Sequence, residues 1–486
     1  MVLVFSNALV FNRSNFGANK IVIHMAKLEK FVFYFFIFCL PFQTRVILKS
    51  WGAGFNEWNS AFLYGTDLLL ILLFTLWLIK RSRPEEAVVD KSAIHLPENS
   101  RATSRGSKGG RMADLFFSRS LSGAFLLIFL GIAALSITQA DNKLLGFYQF
   151  IKLLEFVGFY FYVRSSLGKI FTLNRIFLII VVSGVFQGLV AIGQSLFQHS
   201  LGLKWLGESI LRTNFSGVAV VATEGEKFLR AYGTTPHPNI LAAWLFLAIF
   251  ACYFLFLREH SRSSLLLIIY PVLLWGFLAT FSRIAIALWV LGILVRFLLI
   301  ALKRKKYVLD QIFKKRLMFL VAVTLAVVAI FCLSYWPQVQ SRISISTEEQ
   351  AVVQRIFYTK IAGKMFSVEP WLGSGLGQFV GTMQSMLKNL PDHLYQPVHN
   401  IYLLILNEMG VLGLAAFLSW LGVLVYGYYQ RTKFKKLHYA SFFVAFLSVL
   451  VLGSFDHFLW TLQQGQLILW LTLGLISVSE KTLEVV

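Results

Sequence analysis

A chain of 486 residues that is 57% hydrophobic and 16% aromatic, with a mean hydropathy of +0.69, exceeds what a soluble core needs; this excludes an ordinary soluble domain and points to a polytopic membrane protein. A net charge of +22 would suit nucleic acid, but the Lys and Arg residues fall in short clusters between apolar runs, so topology accounts for them and no nucleic-acid partner is expected. Cys39, Cys252 and Cys332 each sit inside an apolar run without zinc or disulfide spacing and read as small buried hydrophobes.

Met1 to Lys20 breaks its apolar residues with Ser, Asn and Arg and lacks the long apolar core and small-residue cleavage site of a signal peptide. Met25-Ala-Lys-Leu-Glu-Lys leads straight into Phe31–Leu40 and looks more like the start of a membrane protein than Met1 does. The expectation is initiation at Met25, which the intact mass of the native protein tests.

A membrane span needs about 20 apolar residues. The chain supplies about twelve such runs, near 28–48, 62–80, 116–138, 145–163, 173–197, 239–257, 264–281, 284–302, 317–336, 399–429, 438–456 and 461–479. The first is the weakest, broken by Pro41 and Arg45. The organisation expected is a cytoplasmic segment 1–27, two spans in 28–80, and a disordered cytoplasmic linker 81–115. Seven spans follow in 116–336 with an outer loop 198–238, then a large extracytoplasmic loop 337–398 carrying short helices, three spans in 399–479, and a cytoplasmic tail 480–486.

Charge alternation supports this order. With the N-terminus inside, the even connections carry the basic clusters: Arg81 to Arg111, Arg164 to Arg175, Arg258 and Arg262, Lys303 to Arg316, and Arg431 to Lys436. The two long odd connections, 198–239 and 337–398, then fall outside. No internal repeat and no pair of matched broken helices marks an inverted-repeat transporter.

Four constellations lie at the outer helix ends. Arg230-Ala-Tyr-Gly-Thr-Thr-Pro-His-Pro-Asn239 sets an irregular turn before a helix, where unpaired amides beside Arg230 suit an anion; a rigid turn with an interfacial arginine is the plainer reading. Thr280-Phe-Ser-Arg283 is a tight reversal that puts an arginine at membrane depth, either facing a cavity or snorkelling to the interface. Ser346-Thr-Glu-Glu-Gln350 offers overlapping capping boxes for a helix from about Thr347 to Phe366, with Tyr358, Thr359 and Ala362 on the face of Arg355. Next comes Pro370-Trp-Leu-Gly-Ser-Gly-Leu-Gly-Gln-Phe379, which lacks the βαβ setting of a dinucleotide site and reads as a turn or as a loop that lets backbone approach a sugar or phosphate.

The fourth constellation is His399, with Asn400 and Tyr402 beside it, at the head of the span that runs through Gly413. An imidazole at a membrane boundary facing a basic loop suits proton transfer beside an anion, and an interfacial helix cap is the alternative. Glu408, nine residues on, falls on the opposite face of a straight helix and reads as a buried acid seeking a partner elsewhere, with Lys152, Glu155 and Asp456-His457 as other polar points in the membrane.

In order and sidedness these motifs resemble the O-antigen ligase and O-antigen polymerase family of bacterial envelope proteins, over about Arg230 to Trp420. The resemblance implies a C-type glycosyltransferase-like, all-α membrane architecture and an inverting, metal-independent transfer on the outer face of the cytoplasmic membrane, with no cofactor. The donor it implies is a glycan on undecaprenyl pyrophosphate, and the acceptor a hydroxyl of a glycan, lipid or protein. Arginine forks are the best protein substitute for a metal in neutralising pyrophosphate. Arg230 and Arg283 are the first candidates for that clamp and Arg355 the third, with Asn400 and Tyr402 beside the substrate. His399 is the candidate base, or else a protonated phosphate ligand.

Two other classes stay open on sequence. A lipid-glycan flippase or polysaccharide exporter would use the same cations, though these lie outside instead of along a path through the bilayer. A metal-dependent hydrolase built from His237, Asp392, His393 and His399 would need a compact ligand spacing that the sequence lacks.

Overall fold

The computed structural model describes residues 24–51, 55–82, 108–223, 225–258, 263–302, 311–344 and 349–478. The segment before Met25, most of the linker expected at 81–115, the cluster Lys303–Lys306, Ser346 and Thr347 of the capping boxes, and the tail 480–486 lie outside the described residues.

The fold is mostly helical. A helix over 24–39 (α1) leads to a hairpin of β1 (Arg45–Ser50) and β2 (Ser60–Tyr64), antiparallel with Arg45 opposite Tyr64. Then come α2 (Gly65–Ser82), α3 (Lys108–Ser136), α4 (Lys143–Ser166) and α5 (Leu173–Phe197). A second hairpin, β3 (Val220–Thr223) with β4 (Glu226–Leu229), precedes α6 (Pro238–Arg258), α7 (Ser263–Leu278), α8 (Arg283–Leu302) and α9 (Gln311–Ser334). The expected long loop holds α10 (Trp336–Ile343), α11 (Gln350–Val368) and α12 (Phe379–Met386), and α13 (Ile401–Thr432), α14 (Leu437–Leu452), α15 (Phe458–Thr461) and α16 (Gln463–Ile476) complete the chain.

Among the described residues, seven helices are long and apolar enough to cross a bilayer, within α3, α4, α5, α6, α8, α9 and α13, and α7 and α14 are apolar but shorter. In α8 and α9 the apolar window is only 17% buried despite a mean hydropathy of 2.7 and 2.8, so most of that surface faces outward and calls for lipid. The chain is a polytopic membrane protein on this evidence.

The first expected span is corrected. Helix α1 stops at residue 39, before Pro41, which cannot continue the ladder, and Arg45 begins a strand paired to Glu57 through an ion pair. The last expected span starts late, because Leu462 is extended and α16 runs over Gln463–Ile476.

Helix α13 is interrupted at Gly410, whose φ of 66° and ψ of −172° only glycine adopts readily. The glycine-rich segment fills the interruption: Ser374 and Gly375 amides donate to the Asn407 and Glu408 carbonyls at 2.9 and 3.1 Å, and the Val411 amide donates to Pro370. A Cβ on Gly410 would stand 2.0 Å from the Trp371 oxygen, and one on Gly373 2.5 Å from the Asn407 oxygen. These glycines therefore let backbone approach backbone.

Candidate functional site

The loops between helices meet at one end of the bundle. The turn Arg230–Asn239 is held from below by two buried glutamines of α5: Gln194 Oε1 accepts from the Tyr232 and Gly233 amides at 2.9 and 2.8 Å, and Gln187 Oε1 accepts from Thr234 N at 2.9 Å. Glu208 braces Gln194 in turn, accepting from its Nε2 at 2.8 Å. An irregular backbone is tolerated beside apolar helices only when its polar groups are met in this way.

That scaffold aims Arg230 at the reversal between α7 and α8. Arg230 Nε donates to the Thr280 carbonyl and one terminal nitrogen donates to Asn239 Oδ1, both at 2.7 Å. The reversal is strained, with Phe281 at φ 46°, and this turns the Ser282 hydroxyl onto Asn239 Oδ1 at 3.0 Å. Asn239 Nδ2 then donates to Asp456 Oδ2 at 2.6 Å, while Asp456 Oδ1 accepts from the His457 amide at 2.8 Å. Pro-x-Pro-Asn is thus the junction between the arginine turn and the loop after α14.

Arg283 points the other way, into the long loop. It donates to Glu349 at 2.6 Å and to the Arg342 and Ser341 carbonyls at 2.9 and 3.4 Å. Glu349 also pairs with Arg342 at 3.3 Å, so it caps α11 with no side-chain hydrogen bond and instead ties that loop to α8. Arg355, half-buried on α11, has no hydrogen-bond partner for its guanidinium among the described residues.

His399 stands between these groups. Its ring stacks on Tyr358 of α11 with centroids 5.6 Å apart and meets His457 edge-on at 5.0 Å, and its Nδ1 is buried without a hydrogen bond. Asn400 caps α13, accepting from the Tyr402 and Leu403 amides, and the Tyr402 hydroxyl donates to the Leu450 carbonyl at 2.9 Å. Both side chains are thus occupied in fixing the helix that starts beside His399. Glu408 accepts from the Trp460 indole at 3.1 Å, whereas Lys152 binds Asp67 and Glu155 at 2.7 and 2.6 Å.

The electrostatics follow from crowding. Four guanidinium groups, Arg230, Arg283, Arg342 and Arg355, face two carboxylates, Glu349 and Asp456. Burial first, then Arg342 and Arg355, brings Arg230 down to about 9. Burial and Arg283 also lower Arg342, with Glu349 opposing. Burial lowers His399, with Asp456 opposing and Arg355 adding to the depression; it brings His237 to about 4 and, with His399, His457 to about 3. Burial opposes ionisation of Asp456, but His457, His399, His237 and the Asn239 hydrogen bond outweigh it and hold the carboxyl ionised. The site is cationic beyond its own carboxylates, with imidazoles that are neutral at neutral pH and can accept a proton.

The structure thus brings together Arg230, Arg355 and His399, sets Arg283 at the edge, and turns Tyr402 toward α14. The sequence carries Asn239 and Ser282 only as members of their motifs, Glu349 only in a capping box and Asp456-His457 only as a polar point in the membrane, and gives Arg342 no role. Asp392 and His393 sit on an exposed 3-10 turn, and among the described residues no group of three or more His, Cys, Asp or Glu side chains is placed to hold a metal. A separate cavity of about 240 Å³ lies among Phe177, Phe254 and Phe442, mainly apolar, with Arg296, Ser441 and Thr472 at its wall.

Residues 268–418, from α7 into α13, match the family model described as O-Antigen ligase. None of the curated proteins matches the chain. The matched segment carries Arg283, Arg342, Arg355 and His399, while Arg230, Asn239, Asp456 and His457 close the site from outside it.

Proposed function

We propose, taking residues 268–418 to assign this chain to the O-antigen ligase family and so to polysaccharide biosynthesis in a membrane, that it transfers a glycan from undecaprenyl pyrophosphate to an acceptor hydroxyl. At family level it is a membrane glycosyltransferase of the ligase or polymerase type. The observation that carries the finer reading is the surplus of guanidinium groups beside one imidazole. Arg230 and Arg355 would hold the pyrophosphate, whose charge replaces the carboxylates the arginines lack, and Arg283 would keep the long loop and Arg342 closed over it.

In the transfer, the acceptor oxygen attacks the anomeric carbon from the side opposite the pyrophosphate, a new glycosidic bond forms, and the bond to the phosphate oxygen breaks. The anomeric configuration inverts. His399 takes the hydroxyl proton, a role worth about 10² to 10⁴ in rate. The depressed imidazole is ready to accept a proton, and the arriving pyrophosphate dianion raises its basicity as it neutralises the arginines. Asn400 and Tyr402 act by holding the first turn of α13, so that His399 keeps its place against Tyr358.

Gathering the cations at one end of the bundle favours catalysis there over a flippase path through the bilayer. The reading places the site on the extracytoplasmic face of the cytoplasmic membrane. Purified protein with the lipid-linked donor and an acceptor glycan tests it: transfer with inversion that persists under chelator is expected. Transport of the lipid without any new glycosidic bond would overturn it.

A further inference from the structure

A second cavity lies beside His457. Its lining includes Trp58, Trp460, Gln149, Gln466 and Lys152, and it reaches Pro397, two residues before His399, and Thr461, whose hydroxyl is 2.7 Å from His457 Nδ1. Trp58 also meets the His457 ring edge-on at 5.0 Å. The cavity volume is about 60 Å³, room for several waters or the hydroxyl edge of a sugar ring.

The chemistry here is opposite to that of the arginine cluster. Lys152 is neutralised by two carboxylates, Asp67 and Glu155, and Glu57 is paired with Arg45, so the cavity offers no spare cation to an anion. What it offers is indole faces and amides, with the Glu408 carboxyl, held by the Trp460 indole, at its wall. The side chains of Gln149 and Gln466 have no hydrogen-bond partner among the described residues, and Gln463 Oε1 is buried without one. Aromatic faces with unpaired amides and no net positive charge suit a neutral, hydroxyl-rich ring.

We propose that this cavity is the acceptor subsite, which takes the reacting hydroxyl end of a neutral saccharide and presents it to His399 from the side opposite the pyrophosphate. The proposal rests on the glycosyltransferase reading and adds to it the class of acceptor and the residues that receive it. Inversion requires attack and departure on opposite sides of the anomeric carbon, and in this proposal the cavity beside His457 and the arginine cluster supply the two sides.

The test uses the full chain, with Gln149→Leu and Gln466→Leu combined, since both side chains face the cavity and neither holds the fold through a hydrogen bond. Saturation-transfer NMR with neutral methyl glycosides of common hexoses and N-acetylhexosamines measures the subsite, and titration with undecaprenyl pyrophosphate measures the donor site. At least one glycoside should bind the wild type and lose about tenfold or more in affinity in the double variant, with undecaprenyl pyrophosphate unchanged. The proposal is overturned if no glycoside binds, leaving a water-filled gap, or if the double variant binds equally well. Weakened binding of the glycan-bearing donor, with bare undecaprenyl pyrophosphate unaffected, would overturn it too by making this a donor-sugar site. Failure of the wild type to bind undecaprenyl pyrophosphate would instead count against the glycosyltransferase reading, independently of the glycoside result.

Discussion

Asn239 and Asp456, 217 positions apart, are joined by a 2.6 Å hydrogen bond, and the oxygen of the same carboxamide accepts from Arg230 at 2.7 Å. One uncharged side chain therefore separates a buried cation from a buried anion while orienting both. Asn239→Ala should leave Arg230 and Asp456 each short of a partner. Donor affinity should fall about 10- to 100-fold, from charge-assisted bonds worth about 1.5–3 kcal/mol, as a titration with lipid-linked donor would measure.

Arg230 and Arg283 should separate in their responses to lysine. Arg230 bonds in two directions from Nε and a terminal nitrogen, which a single ammonium cannot reproduce, so Arg230→Lys should weaken donor binding severely despite its charge. Arg283→Lys should loosen the loop first, because Glu349 and two carbonyls depend on it. Faster proteolysis of α10, around Ser341 and Arg342, in Arg283→Lys than in Arg230→Lys is the expected outcome.

Much of this arrangement was open to reading in the sequence and some was not. The apolar runs, the basic turns, and Arg230, Arg355 and His399 as candidates follow from local composition and placement. Asp456 and His457 sit in a short polar break whose importance comes only from packing against Asn239 and His399, and no local pattern carries a contact across 217 positions. Glu349 has the spacing of a capping box, and its ion pairs with Arg283 and Arg342 reach across the loop, where no local pattern shows them. The glycine-rich segment is ambiguous in sequence because approach to a phosphate and approach to a broken helix make the same demand on a glycine.

The break in α13 gives a stability prediction. Gly410→Ala places a Cβ 2.0 Å from the Trp371 carbonyl oxygen in a conformation alanine does not tolerate. It should cost at least about 3 kcal/mol and remove most folded protein from a detergent extract, as size-exclusion chromatography would show.

Stability should fall on acidification. His237 and His457 are depressed to about 4 and 3, and His399 is also lowered, so the fold favours their neutral forms. Their contribution is fully present above the unfolded value of about 6.5 and is lost as pH falls below it, since the unfolded chain then binds more protons. By pH 5 the loss from His457 alone is about 2 kcal/mol. Asp456, held below its ordinary range, stays ionised in both states over this window and does not offset it. Melting temperatures measured at pH 7.5, 6 and 5 should decline in that order.

The central claim is that His399 moves the proton while the arginines hold the pyrophosphate. Purified wild type and His399→Ala should be titrated with undecaprenyl-pyrophosphate-linked glycan and assayed for transfer with the same preparations. Donor affinity within a few-fold of wild type and transfer reduced by about 10² or more are expected. Normal transfer in His399→Ala would contradict it, and donor affinity lost in proportion to transfer would make His399 a phosphate ligand instead of the base.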